Sequence, residues 1–195
     1  MRYEKGRKDA TRQRIIDVAS GQFRAHGVAA AGLSGIMTEA GLTNGAFYAH
    51  FDSKEDLVAQ AITHMFDTAH NRFLSLTEGR DPATAIASYV EFYLSPPHRL
   101  ERANGCPIAT LSGDLHNLSD RARERFTGGT ERVAEGLAKL AKKLGAKDPK
   151  ALAWSAMAEM SGALALSRTV SDEQAEAILR HSRASVKARF GLGAR

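Results

Sequence analysis

Apolar residues recur three and four apart along almost the whole chain, the spacing that lines one face of an α-helix. From Asp9 to His26 the stripe is Ile15, Ile16, Ala19 and Phe23, with Gly27 as the expected stop. Leu33, Ile36, Met37 and Ala40 predict a short second helix closed by Gly41, and a third short helix is expected over about 44–50. The long fourth helix, to about Thr77, turns Leu57, Ala61, Met65, Ala69, Phe73 and Leu76 inward. Two caps are open to it, Asp52 with Glu55 or Ser53 with Asp56, both of capping-box form. A helix from Pro82 to Leu94 should stop at Pro96-Pro97. Residues 101–115 read as a loop entering a short helix at Pro107. Ser119 caps the next helix, which carries Phe126, Val133, Leu137, Leu140 and Leu144 and ends at Gly145, with Gly128-Gly129 arguing against a straight course. Helices over about 149–168 and 172–189 complete the chain. No segment alternates at period two for long, so the expected fold is all-α, with about nine helices.

Helices of seven residues are marginal alone, so the first three must hold one another as a compact trihelical unit. The second and third are joined by "AGLT", a tight turn with glycine at the position that favours a left-handed residue. Thr43 can cap the third helix, and Phe47 and Phe51 lie one turn apart and point inward with Leu42, Ile36 and Phe23. Thr43, Asn44, Ala46, Tyr48 and His50 are left on other faces. That is the layout of a helix-turn-helix, whose second helix meets base edges in the major groove. A small helical bundle with inward phenylalanines is the plainer reading of the same spacing.

Charge then becomes informative through its position. The net charge is +5 with a pI near 9.5, and Arg2, Lys5, Arg7, Lys8, Arg12 and Arg14 crowd the first fourteen residues against Glu4 and Asp9. A basic arm before a helix suits a phosphate binder; a solvated terminus fits equally. With 43% hydrophobic and 25% charged residues the composition is that of a globular protein. No apolar run is long enough for a membrane span, and the N-terminal charges are followed by no signal-like apolar stretch. The single cysteine, Cys106, leaves no internal disulfide to form. A cytoplasmic location is expected.

The order of residues in "AGLTNGAFYAHFDSKEDLV" (40–58) resembles the signature of the TetR/AcrR transcriptional regulators, matching it at Ala40, Gly41, Leu42, Thr43, Gly45, Phe47, Tyr48, His50, Phe51, Ser53, Lys54, Glu55 and Leu57. The likeness extends over 9–57. It implies a DNA-binding head over 1–52 and an effector-binding and dimerisation body over 53–195. It also implies a homodimer on a palindromic double-stranded operator, released by a small-molecule effector. The residues that this resemblance assigns to DNA are Arg12, Ser34, Thr43, Asn44, Gly45, Tyr48, His50 and Lys54. Two positions depart from the pattern. Asn44 stands where lysine or arginine is common, and Gly32 where threonine often caps the second helix. An amide can pair with both hydrogen-bonding edges of adenine, whereas lysine favours guanine or phosphate.

"GCPIATLSGDL" (105–115) resembles a stretch of a NemR-like, electrophile-sensing subgroup of that family. The resemblance makes Cys106 a possible sensor and places Arg168 where a lysine modulates it. A guanidinium near a thiol would favour thiolate. The alternative is a cysteine that serves as a small hydrophobe. A third reading, an enzyme with Cys106 as nucleophile and His116 as base, lacks an orienting third group.

Phe66, Tyr89, Phe92, Tyr93, Cys106, Leu111, Trp154, Met157 and Met160 are candidates for an effector pocket, although aromatics and methionines at helical spacing also build ordinary core. Met160, Leu164, Ala175, Ile178, Leu179, Ser182 and Val186 are candidates for a dimer interface, or else pack within the monomer. The histidines are scattered with no close ligand pair, so no metal and no cofactor is expected.

Overall fold

The computed structural model describes residues 2–193, with side chains from residue 6 onward. The side chains of Arg2 and Lys5 in the basic arm lie outside the described residues. Among the described residues the secondary structure is helical: α1 (Arg2–His26), α2 (Leu33–Glu39), a 3-10 helix (Asn44–Ala49), α3 (Lys54–Thr77), α4 (Pro82–Tyr93), α5 (Pro96–Leu100), α6 (Pro107–Leu111), a second 3-10 helix (Ser112–Asn117), α7 (Asp120–Lys143), α8 (Pro149–Ser167) and α9 (Asp172–Arg189).

These fall into two compact units, Met1–Asp67 with Arg102–Thr127, and Thr68–Glu101 with Gly128–Arg195. The division differs from a cut at residue 52. It runs through α3 and α7, so the first turns of α3 and the stretch from α6 to the start of α7 belong with the helix-turn-helix. Gly128-Gly129 fall at this division, and α7 continues through both.

In the first unit Ile15, Ala19 and Phe23 of α1 are fully buried with Ile36 and Met37 of α2, Phe47, and Leu57, Ala61 and Ile62 of α3. Phe66 packs edge-on against Phe126 at 5.2 Å. Of the two possible caps for α3, Ser53 is used: its hydroxyl accepts the amide of Asp56 at 3.1 Å.

In the second unit the core is Ala85, Ile86 and Val90 of α4, Leu137 and Ala141 of α7, Ala153, Ala156 and Leu164 of α8, and Leu179 and Val186 of α9. Asp81 caps α4 through the amides of Ala83 and Thr84. Pro96-Pro97 do more than stop α4. With Ser95 as N-cap, accepting the His98 amide at 3.3 Å, they open α5, because a proline's missing N–H costs nothing in a first turn. Arg99 and Arg168 lock this short helix to the end of α8. Arg99 Nε donates to the carbonyl of Ser167 at 2.8 Å, and Arg168 Nε to that of Arg99 at 3.0 Å. α8 and α9 lie antiparallel, joined near one end by Arg189 on Ser155 and Glu159.

Candidate nucleic-acid interface

Two local devices build the reading head. The first is the end of α2. Gly41, at φ +69°, donates to the Thr38 carbonyl at 2.9 Å while Leu42 donates to that of Met37 at 2.9 Å, the bond pair of a glycine-terminated helix. A β-carbon at that φ is strained, which is why glycine ends the helix and turns the chain. The second is aromatic. Phe47 and Phe51 are 0% and 2% exposed and stack with centroids 5.4 Å apart. They hold down one side of a 3-10 helix closed by the bonds from Ala46 to Thr43 and from His50 to Phe47.

The opposite side is left open. Thr43, Asn44, Gly45 and Ala49 are exposed, and Tyr48, edge-on to Phe47 at 5.2 Å, is 73% exposed. Thr43 occupies the N-cap position, but its hydroxyl makes no capping bond. Ser34 is exposed in the first turn of α2, whose N-cap is Gly32.

Arg12, His50 and Lys54 are partly occupied inside the unit. The Arg12 guanidinium lies 4.9 Å from the Phe51 ring centroid, and its Nε donates to the His50 carbonyl at 3.2 Å. Lys54 Nζ donates to the carbonyl of Val28 at 3.4 Å. Burial, with the nearby cations Lys8 and Arg12, pushes the His50 imidazole below its ordinary pKa. At the start of α3 the Glu55 carboxyl is held below the usual carboxylate range by a backbone amide and the Ser53 hydroxyl.

One part of this head has no local signal in the sequence. Arg24 Nε donates to the carbonyl of Ala103 at 2.5 Å, and Asp114 accepts the Val28 amide at 3.1 Å. Both tie the end of α1 and the turn before α2 to the stretch around α6.

Residues 15–61 match the bacterial regulatory proteins of the tetR family. The HTH-type transcriptional regulator TtgW of Pseudomonas putida, itself uncharacterised, is 52% identical over 121 residues, covering 60% of this chain and 88% of that one. The chain belongs to the TetR family. The HTH-type regulator YxaF of Bacillus subtilis is 29% identical over 115 residues, 58% of this chain and 60% of its own. Of the regulators LmrA and KstR2, the match takes in 62% and 56% of the length, so it spans about three fifths of these relatives. A TetR regulator structure from Chloroflexus aurantiacus aligns at a TM-score of 0.83 with 24% identity, covering 99% of this chain and 98% of that one. Reduced NemR of E. coli aligns at 0.82 with 21% identity, covering 92% and 96%. At such identities these structures establish the fold alone. Membership of a family of regulators sets aside the reading of Cys106 and His116 as an enzyme's nucleophile and base.

The TetR-type body distributes the other candidates unevenly. Phe66, Cys106 and Leu111 lie in the first unit; Tyr89, Phe92, Tyr93, Trp154, Met157 and Met160 lie in the second. Tyr89 packs on Phe73 at 4.9 Å, Phe92 stacks on His98 at 5.0 Å, and Met157, Met160 and Leu111 are buried. Trp154 alone of these is strongly exposed, bordering an open groove. Cys106 is half-buried at the N-cap of α6. Arg168 lies in the other unit, with its guanidinium directed at the carbonyls of Arg99 and His98.

The dimer candidates divide by burial within the protomer. Met160, Leu164, Ala175, Leu179 and Val186 are at most 1% exposed within their own protomer. The most apolar stripe of each helix serves the unit's own core, leaving only Ile178 and Ser182 half-buried. The accessible faces are Ala158, Gly162 and Leu166 on α8 and His181, Ala184 and Ala188 on α9.

Proposed function

We propose that this protein is a DNA-binding transcriptional regulator, a repressor that binds a palindromic operator as a homodimer in the cytoplasm and is released by a small-molecule effector. One observation carries the reading: Thr43, Asn44, Gly45 and Tyr48 are open on a helix whose other side is fixed by buried Phe47 and Phe51. Side chains held that rigidly, with free hydroxyl, amide and phenol groups, suit base edges and phosphate oxygens. Lys54 and Ser34 flank them as phosphate contacts. The exposed small-residue faces of α8 and α9 allow close approach of a second copy, and a two-fold protein reads a two-fold site. Effector control requires a ligand that favours one arrangement of the heads over the DNA-competent one.

The experiment is a gel shift on the DNA upstream of the protein's own gene, titrated with salt. Affinity should fall by orders of magnitude between low and physiological salt, with preference for a palindrome. Absence of binding at low salt sinks the reading.

A second reading, electrophile sensing at Cys106, is favoured by the cysteine's place. It occupies the N-cap position of α6, without a side-chain capping bond, in the stretch whose Ala103 and Asp114 hold the end of α1 and the following turn. Modification there would act on that support. If Cys106→Ser releases DNA on treatment with a mild electrophile as the wild type does, sensing is out.

A further inference from the structure

The second unit carries an open groove of about 930 Å³ between the C-terminal half of α7 and the start of α8. It is bordered by Trp154, by Lys139, Lys142, Lys147 and Lys150, and by apolar surface from alanines such as Ala138 and Ala146.

Two features of this groove are unused by the protomer's own packing. The first is Trp154, the only tryptophan in the chain, 46% exposed although its neighbours Ala153, Ala156 and Met157 are buried in a well-formed helix. A large ring facing water at such a point leaves apolar surface uncovered. The second is the charge. Among the described residues none of the four lysine ammonium groups has an ion-pair or hydrogen-bond partner, whereas Arg183, Lys187 and Arg189 elsewhere in the unit are paired with Glu176, Glu91 and Glu159. Lys142 in the last turn of α7 is favoured by that helix's dipole, but Lys147 and Lys150 sit at the opening of α8, the end where a cation is disfavoured. The one carboxylate beside them, Asp148, is committed to capping α8 through the Ala151 amide at 3.0 Å. Glu131 and Glu135 also border the groove, one to three turns earlier on α7.

We propose that the groove binds a flat organic anion, an arene bearing a carboxylate or sulfonate. The ring stacks on Trp154 and its acid group lies among Lys142, Lys147 and Lys150. Glu131 and Glu135 repel the acid from the other end and so fix its direction. The apolar area covers the arene and the ammonium groups supply its counter-charge.

Because Trp154 is the only tryptophan, its emission reports on this groove alone. Titration of the full chain with anilinonaphthalene sulfonate should give saturable energy transfer from Trp154, with Kd on the order of tens of micromolar for a ligand of that size. The neutral N-phenylnaphthylamine, with the same rings and no acid, should bind at least about fivefold more weakly. So should the sulfonate to the double variant Lys142→Gln/Lys147→Gln, whose melting temperature should match the wild type because both positions are exposed. No saturable transfer overturns the proposal, as does equal binding of the neutral arene or of the double variant. A Trp154 emission that shifts with protein concentration and ignores the probe means that a second copy covers the groove, and also overturns it. No DNA is present, so the outcome is independent of operator binding.

Discussion

Asp114 reaches across 86 residues of chain to accept the backbone amide of Val28 at 3.1 Å. The preceding Gly27, at φ +83°, leaves so little room that a β-carbon there would lie 3.1 Å from the same carboxylate oxygen. The turn between α1 and α2 is therefore held from outside the three helices it serves. Asp114→Ala removes a charge-assisted, part-buried bond, and the expected cost is about 1–2 kcal/mol. Asp114→Asn keeps an accepting oxygen and should recover most of it. Urea unfolding of the three proteins checks this; equal midpoints would mean that the bond contributes nothing.

That contact marks the limit of what the sequence makes legible. The helices, the Gly41 turn and the inward Phe47 and Phe51 follow from period, propensity and turn chemistry, all local. Asp114 and Arg24 act through partners 86 and 79 residues away, which no periodicity encodes. The same limit explains Met160, Leu179 and Val186. Apolar period tells that a face is covered, and it is silent on whether the cover is the protein's own core or a second chain. The extra helix at Pro96-Pro97 was hidden differently, since proline signals both the end of one helix and the first turn of the next.

Asn44 should act on base choice and Tyr48 on affinity. Both are exposed, so neither Asn44→Ala nor Tyr48→Phe should move the melting temperature appreciably. Asn44→Ala is expected to relax preference at one position in each half-site, where a paired amide discriminates by about 1–3 kcal/mol. Tyr48→Phe, losing a hydroxyl suited to phosphate, should weaken all sequences alike. Binding to a panel of single-base operator variants separates the two. A uniform loss for Asn44→Ala would remove its reading role.

Stability should fall in mild acid through His98. Burial lowers the pKa of its ring; contact with the Tyr93 carbonyl at 2.7 Å opposes this, and the cations of Arg168 and Arg72 add to the lowering. The Tyr93 carbonyl can only accept, so Nδ1 carries the proton of the neutral ring. A folded pKa below the unfolded value of about 6.5 means that the unfolded chain takes up the proton first. The His98 contribution is thus full above that pH and declines as pH falls through it. His50 shifts in the same direction. Urea midpoints should drop from pH 7 to pH 5, and His98→Gln should flatten the drop. An unchanged slope in the variant would place the acid sensitivity elsewhere.

The faces of α8 and α9 separate folding from assembly. Leu179 is 1% exposed inside its protomer, so Leu179→Ala should destabilise the chain by about 2–5 kcal/mol. Ala184 is exposed on the opposite side of α9, on the stripe with His181 and Ala188. In a two-fold dimer across that stripe, Ala184→Glu would bring in a carboxylate from each subunit and bury both near the axis, without touching the protomer's core. Light scattering should then give half the wild-type mass, with helical circular dichroism retained. Operator affinity should fall with it, because a lone head holds one half-site. A dimer that survives Ala184→Glu and also Ala158→Glu would put the interface on another surface, and the small exposed residues of α8 and α9 would then need a different explanation.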